Sequence, residues 1–159
     1  MNSSRINKAG AALAFIGSMT LSLSSSAWAD TGDVKPEYLN PPGARSDLPF
    51  SDAVRVGQFL FLSGKIGNIP GTRELAKGGI QGETRQAMEN IKTSLERWGA
   101  SLDDVVKCTV FMADIDEWSA MNEVYVTYFQ KHKPARSALA AAGLALNSRV
   151  EIECMAVTQ

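Results

Sequence analysis

Apolar residues recur at three- and four-residue steps along residues 82–98, where Ala87, Met88, Ile91, Leu95 and Trp98 share one stripe. Glu83, Arg85, Glu89, Lys92 and Glu96 take the other side and Gly99 supplies a stop, so the pattern predicts an amphipathic helix. A second helix is predicted over residues 116–130. Trp118, Met121, Tyr125 and Tyr128 form its stripe, Asp116 and Glu117 suit the positive end of its dipole, and Pro134 lies beyond its end. The other apolar runs are short. "AVRVGQFLFL" reads as two strands turning at Gly57-Gln58, and "VVKCTVFM" as a third strand rich in β-branched residues. Residues 136–141 and 149–157 read as two more, split by "GLALNS". The run from Phe59 to Leu62 is apolar at four successive positions, the pattern of a strand covered on both faces.

The predicted order is β-β-α-β-α-β-β: one sheet and two helices, an α+β domain over residues 49–159. Two helices cover one face of such a sheet. The other would leave side chains such as those of "FLFL" in water, a patch too large for a stable monomer. Burial against copies of itself is the economical solution, so a closed homo-oligomer is expected. Residues 30–48, rich in Pro, Gly, Asp and Asn and without a period, read as an extended arm.

The chain of 159 residues opens differently. "MNSSRINK" carries Arg5 and Lys8 and no acid, an uncharged apolar stretch follows from Ala9, and Ala27-Trp28-Ala29 precedes Asp30. This is the layout of a secretory signal over residues 1–29, with cleavage after Ala29 and a periplasmic or secreted product. The serines dilute the stretch below the roughly 20 apolar residues of a spanning helix, so no membrane attachment is expected after cleavage. Losing Arg5 and Lys8 leaves 14 basic residues against 17 acidic ones, a formal charge of −3. No basic run stands out, which argues against a nucleic-acid surface. Cys108 and Cys154 both lie in apolar strand-like runs and are expected as two separate buried thiols, with pairing in an oxidising compartment as the alternative. His132, between Lys131 and Lys133, reads as a solvated loop residue; no metal spacing, phosphate loop or nucleophile elbow is present, so neither metal nor cofactor is expected.

Four stretches carry candidate chemistry. In "PARS", Arg136 opens a strand that continues with small residues, leaving room for a small acid beside a guanidinium whose fork binds carboxylates. The alternative is a structural ion pair with a nearby glutamate. "VEIE" alternates, so Glu151 and Glu153 share one face; one of them, on a strand beside that of Arg136, is placed to hold a water or move a proton. Ser63-Gly64 ends the apolar strand, where glycine permits close backbone approach or simply a turn. Asn122 interrupts the second helix beside its stripe, by default as a solvated residue.

Together, "PFSDAVRVGQFLFLSGKIG", "TRQAMENIKTSLERWGASLDDVVKCTVFMADIDEWSAMNEVYVTYF", "PARS" and "VEIECMAV" resemble the YjgF/RidA family of enamine/imine deaminases in order and spacing, from Pro49 to Val157. The resemblance implies a chorismate-mutase-like protomer and a homotrimer with clefts between subunits. It also implies hydrolysis of small, reactive 2-enamino and 2-imino acids to 2-oxo acids and ammonia, without a cofactor. Residue by residue, it assigns Arg136 to the substrate carboxylate and Glu151 to the attacking water, with Ser63, Gly64 and Asn122 lining the cleft. Three positions depart from the family pattern: Phe50 replaces a tyrosine, Ala138 a cysteine and Lys65 a glutamine. Phe50 and Ala138 make the cleft more apolar and favour the alternative, a non-catalytic trimeric module that binds small carboxylates or a protein partner.

Overall fold

The computed structural model describes residues 34–44 and 47–158; the expected signal segment lies outside the described residues. Seven strands form one mixed sheet: β1 (Glu37–Leu39), β2 (Ala53–Val56), β3 (Phe59–Leu62), β4 (Lys65–Ile66), β5 (Val105–Met112), β6 (Ala135–Ala140) and β7 (Val150–Val157). Their order is β1-β2-β3-β7-β5-β6, with β4 paired to β7 beside β3. Only β5 and β6 run parallel, joined across the sheet by helix α2 (Trp118–Tyr125); α1 (Gly79–Arg97) joins β4 to β5. The predicted arm thus contributes β1, paired antiparallel to β2. Gly57 takes the left-handed backbone of a tight hairpin turn between β2 and β3.

Both helices lie on one face, as their stripes require. Ala87, Met88, Ile91 and Leu95 of α1 and Met121 of α2 are fully buried, packed with Leu60, Cys108, Val110, Met112, Val150, Ile152 and Ala156 of the sheet. Helix α1 starts one turn earlier than its stripe suggested, with buried Ile80 and a glycine at 82 whose Cβ would strike the Lys77 carbonyl. The second helix is shorter than predicted. Its ends tighten into 3₁₀ turns at Ile115–Glu117 and Val126–Tyr128, the first capped by the Asp114 side chain accepting from Asp116 N at 2.9 Å.

Three expectations change. Cys108 and Cys154 form a disulfide. They stand directly opposite each other where β5 pairs with β7, and that register brings the two sulfurs together whatever their apolar surroundings. Glu83, placed on the wet side of α1, is buried instead, its carboxylate accepting from Arg149 N at 2.7 Å and tying α1 to the turn before β7. Within one chain, "FLFL" is covered on one face only: Leu60 and Leu62 point into the core, while Phe59 and Phe61 are exposed on the open face, which also carries exposed Leu139 on the far edge strand β6.

Candidate active site

Arg136 opens the edge strand β6 just beyond Pro134, and its register with Cys108 turns it to the helix-covered face, under α2. One guanidinium nitrogen donates to Asn122 Oδ1 at 2.6 Å. The guanidinium carbon lies 4.7 Å from the centre of the Tyr125 ring and 5.6 Å from that of Trp118, so both rings meet a delocalised cation. Among the described residues Arg136 has no carboxylate partner, which removes the structural ion pair from consideration. Of its five N–H donors, those not given to Asn122 remain for a ligand. The guanidinium opens onto a cleft of about 660 Å³, lined also by Trp118, Asn122, Tyr125, Val126 and Phe129. Ala138 follows on the same face, half-buried against the core. Burial pushes the Tyr125 phenol up to about 12 despite the opposing pull of Arg136, so it stays protonated and neutral. Among the described residues its buried hydroxyl has no hydrogen-bond partner.

Glu151 belongs to a different place. In β7, Val150, Ile152 and Cys154 point into the core, so Glu151 points to the open face. Gly64 stands against it: a Cβ there would come 2.0 Å from Glu151 Oε1, so the glycine is required by the carboxylate that lies on its backbone. Ser63 beside it donates its hydroxyl to the Ser51 carbonyl at 2.6 Å and its N–H to the Asp52 carbonyl at 3.1 Å. Phe50 immediately precedes this clip and is 56% exposed. Among the described residues the Glu151 carboxylate has no hydrogen-bond or ion-pair partner either. The predicted residues therefore fall into two sets: Arg136, Asn122 and Ala138 on one face, and Ser63, Gly64 and Glu151 on the other. Arg136 and Glu151 were expected on neighbouring strands. β5 separates them, and their side chains leave opposite faces, so one chain does not bring them together.

Sequence reasoning did not find the group that supports the second set. The Asp52 carboxylate accepts from Lys65 Nζ at 2.5 Å, from Trp98 Nε1 at 2.8 Å and from Ser94 Oγ at 3.1 Å. Burial raises its pKa, but the hydrogen bonds from Lys65, Trp98 and Ser94 and the lysine charge outweigh this and hold it below its ordinary value. The departure at Lys65 was the one available signal: a lysine on a strand end next to a buried run needs a counter-ion.

A family model described as Endoribonuclease L-PSP matches residues 43–158. The chain belongs to the YjgF/RidA family. Similar proteins of this family include a RutC family protein of Pyrococcus horikoshii, 46% identical over 108 residues, or 68% of this chain and 86% of that protein. The human 2-iminobutanoate/2-iminopropanoate deaminase is 40% identical over 116 residues, covering 73% of this chain and 83% of its own. Among solved structures, the YjgF gene product of E. coli matches with a TM-score of 0.69 at 30% identity, over 77% of this chain and 99% of that one. E. coli TdcF, solved with bound serine, matches with a TM-score of 0.68 at 34% identity, over 77% and 97%. The mixed sheet with two helices on one face is the fold of these YjgF/RidA structures.

Proposed function

We propose that this chain is a deaminase that hydrolyses 2-enamino and 2-imino acids to 2-oxo acids and ammonia. The observation that carries the reading is the Arg136 guanidinium, oriented by a neutral asparagine and two rings and left without a carboxylate by its own fold. The names of the deaminase relatives support it, as does a bound amino acid in TdcF, which offers the same carboxylate. In this reading the arginine fork holds the substrate carboxylate by two charged hydrogen bonds. Glu151 positions a water, whose oxygen adds to the C=N carbon while its proton passes toward the nitrogen. The C–N bond of the tetrahedral adduct then breaks and ammonia leaves, so imine and water become oxo acid and ammonia with no redox change. Imines are electrophilic already, and positioning with proton transfer is enough.

Because the two sets face apart within one chain, we place a complete site between copies, with Arg136 from one and Glu151, Ser63 and Gly64 from a neighbour in a homotrimer. The exposed Phe59, Phe61 and Leu139 support self-association through the open face. Pyruvate release from 2-iminopropanoate tests both parts. Arg136→Ala and Glu151→Gln proteins should each lose most of their activity, and co-assembling them should restore it at sites that receive both native halves. Wild-type release no faster than buffer across several imino acids ends the deaminase reading; failure to complement ends the shared site. Phe50 and Ala138 favour the binding module as the second reading, in which small carboxylates raise the melting temperature without being consumed. Export belongs to the proposal as well, supported by a buried disulfide suited to an oxidising compartment.

A further inference from the structure

The Arg136 cleft offers more apolar wall than a three-carbon acid covers. Resting on the deaminase reading above, we infer that this chain takes 2-imino acids with bulky apolar side chains, aromatic or branched, seated against Trp118, Tyr125, Val126 and Phe129.

Three observations carry this. The cleft is about 660 Å³ in one chain, before a neighbour's Ser63, Gly64 and Glu151 narrow it, against roughly 300–1,000 Å³ for ligand pockets, so it has space to spare beyond the bulk of 2-iminopropanoate. The exposed part of its wall is apolar: Trp118 is 43% exposed and Val126 47%, with Tyr125 and Phe129 buried behind them. Covering such surface is what favours an apolar ligand side chain. The wall is also built of rings. Tyr125 and Phe129 have centroids 5.0 Å apart, tilted by 45°, and Trp118 shares the Arg136 guanidinium with Tyr125. A substrate whose carboxylate is held by Arg136 then projects its side chain along rings suited to offset or edge-on contact. The charges at the rim do not favour an acidic side chain. Lys133 lines the cleft, but so does Glu123, held toward α1 by Gln81 Nε2 at 2.7 Å, and its carboxylate opposes a second negative group.

The test generates imines in place with an L-amino-acid oxidase acting on alanine, leucine, phenylalanine and glutamate, and measures 2-oxo acid release in competition with semicarbazide. Wild type is expected to show a kcat/KM about tenfold higher for the phenylalanine- and leucine-derived imines than for the alanine-derived one. Trp118→Ala, and the surface change Val126→Asp as a fold-safe second variant, should collapse that ratio toward unity. Preference for the alanine- or glutamate-derived imine overturns the inference, as does a ratio that neither variant moves. A Val126→Asp protein that changes its oligomeric mass but keeps the ratio gives the wall to a subunit contact and overturns it too. If no imine is turned over, the deaminase reading has failed by itself, and thermal shift then reads the wall alone. Stabilisation by phenylpyruvate beyond that by pyruvate upholds the apolar wall, and equal shifts overturn it.

Discussion

Among the part-buried cations on the helix-covered side of this sheet, Lys65 and Arg136 are treated differently by the chain. Lys65 is given a carboxylate, Asp52, which Trp98 and Ser94 of the α1 region also hold and which Arg97 approaches at 3.8 Å. Arg136 is given an amide oxygen and two aromatic rings. The first arrangement completes the electrostatics inside the fold and clips the Ser51–Asp52 turn near Ser63. The second fixes the direction of a positive charge without neutralising it. A charge with its counter-ion built in serves the structure, whereas one oriented by neutral groups keeps its attraction for something that arrives from outside.

The bond between β5 and β7 joins the two regions, because β6 carries Arg136 on one side of it and β4 carries Lys65 on the other. Closing a loop with a sequence separation of 46 stabilises by about 4 kcal/mol in the chain-entropy account. The double change Cys108→Ser with Cys154→Ser should therefore lower the urea midpoint sharply, and an unchanged midpoint would show that the sheet needs no such fastening. Next in size, Lys65→Met strands the Asp52 carboxylate in a half-buried site and should cost about 3 kcal/mol. Denaturant unfolding checks this, and a loss below about 1 kcal/mol would make the pair a bystander and erase the contrast with Arg136.

Arg136→Ala should reverse the balance: kcat/KM down about 100-fold from the lost charged hydrogen bonds, with stability within about 1 kcal/mol of wild type. Arg136→Lys should rescue little, since an ammonium lacks the planar fork. A large stability loss without a loss of activity would place Arg136 with Lys65 among the structural charges. The smallest effect expected is the acid response. Asp52 titrates lower when folded than its ordinary 3.8, so its contribution is complete above that value and is lost as pH falls through the lower folded value. Urea midpoints followed downward from pH 5 should fall less steeply for Asp52→Asn than for wild type. Parallel slopes would remove the carboxylate from the account.

Much of this was legible beforehand. The α1 stripe, Met121 and Tyr125 of the α2 stripe and the strand from Val105 to Met112 stand where their apolar spacing put them, while Trp118 of the α2 stripe is left exposed on the cleft; the motif around Arg136 carried the family. The missed features all involve partners distant in the chain. Asp52 meets Trp98 and Ser94 across 46 and 42 positions, and neither residue type announces the other. Glu83 looked like one more surface acid until the turn at Arg149 supplied a backbone donor. The β4 strand is two residues long, too short for alternation to show.

By itself the sequence determined local periodicity: which stretches coil, which extend, and that two helices leave one sheet face open. Backbone geometry sets those periods within a few residues, so a single chain of letters carries them. Only the tertiary structure decided that Cys108 meets Cys154, that Glu151 lies on Gly64, and that Arg136 and Glu151 leave opposite faces with β5 between them. Alternation tells that neighbouring residues part company, but which of them faces the core is chosen when strands take their register and the helices settle on one side.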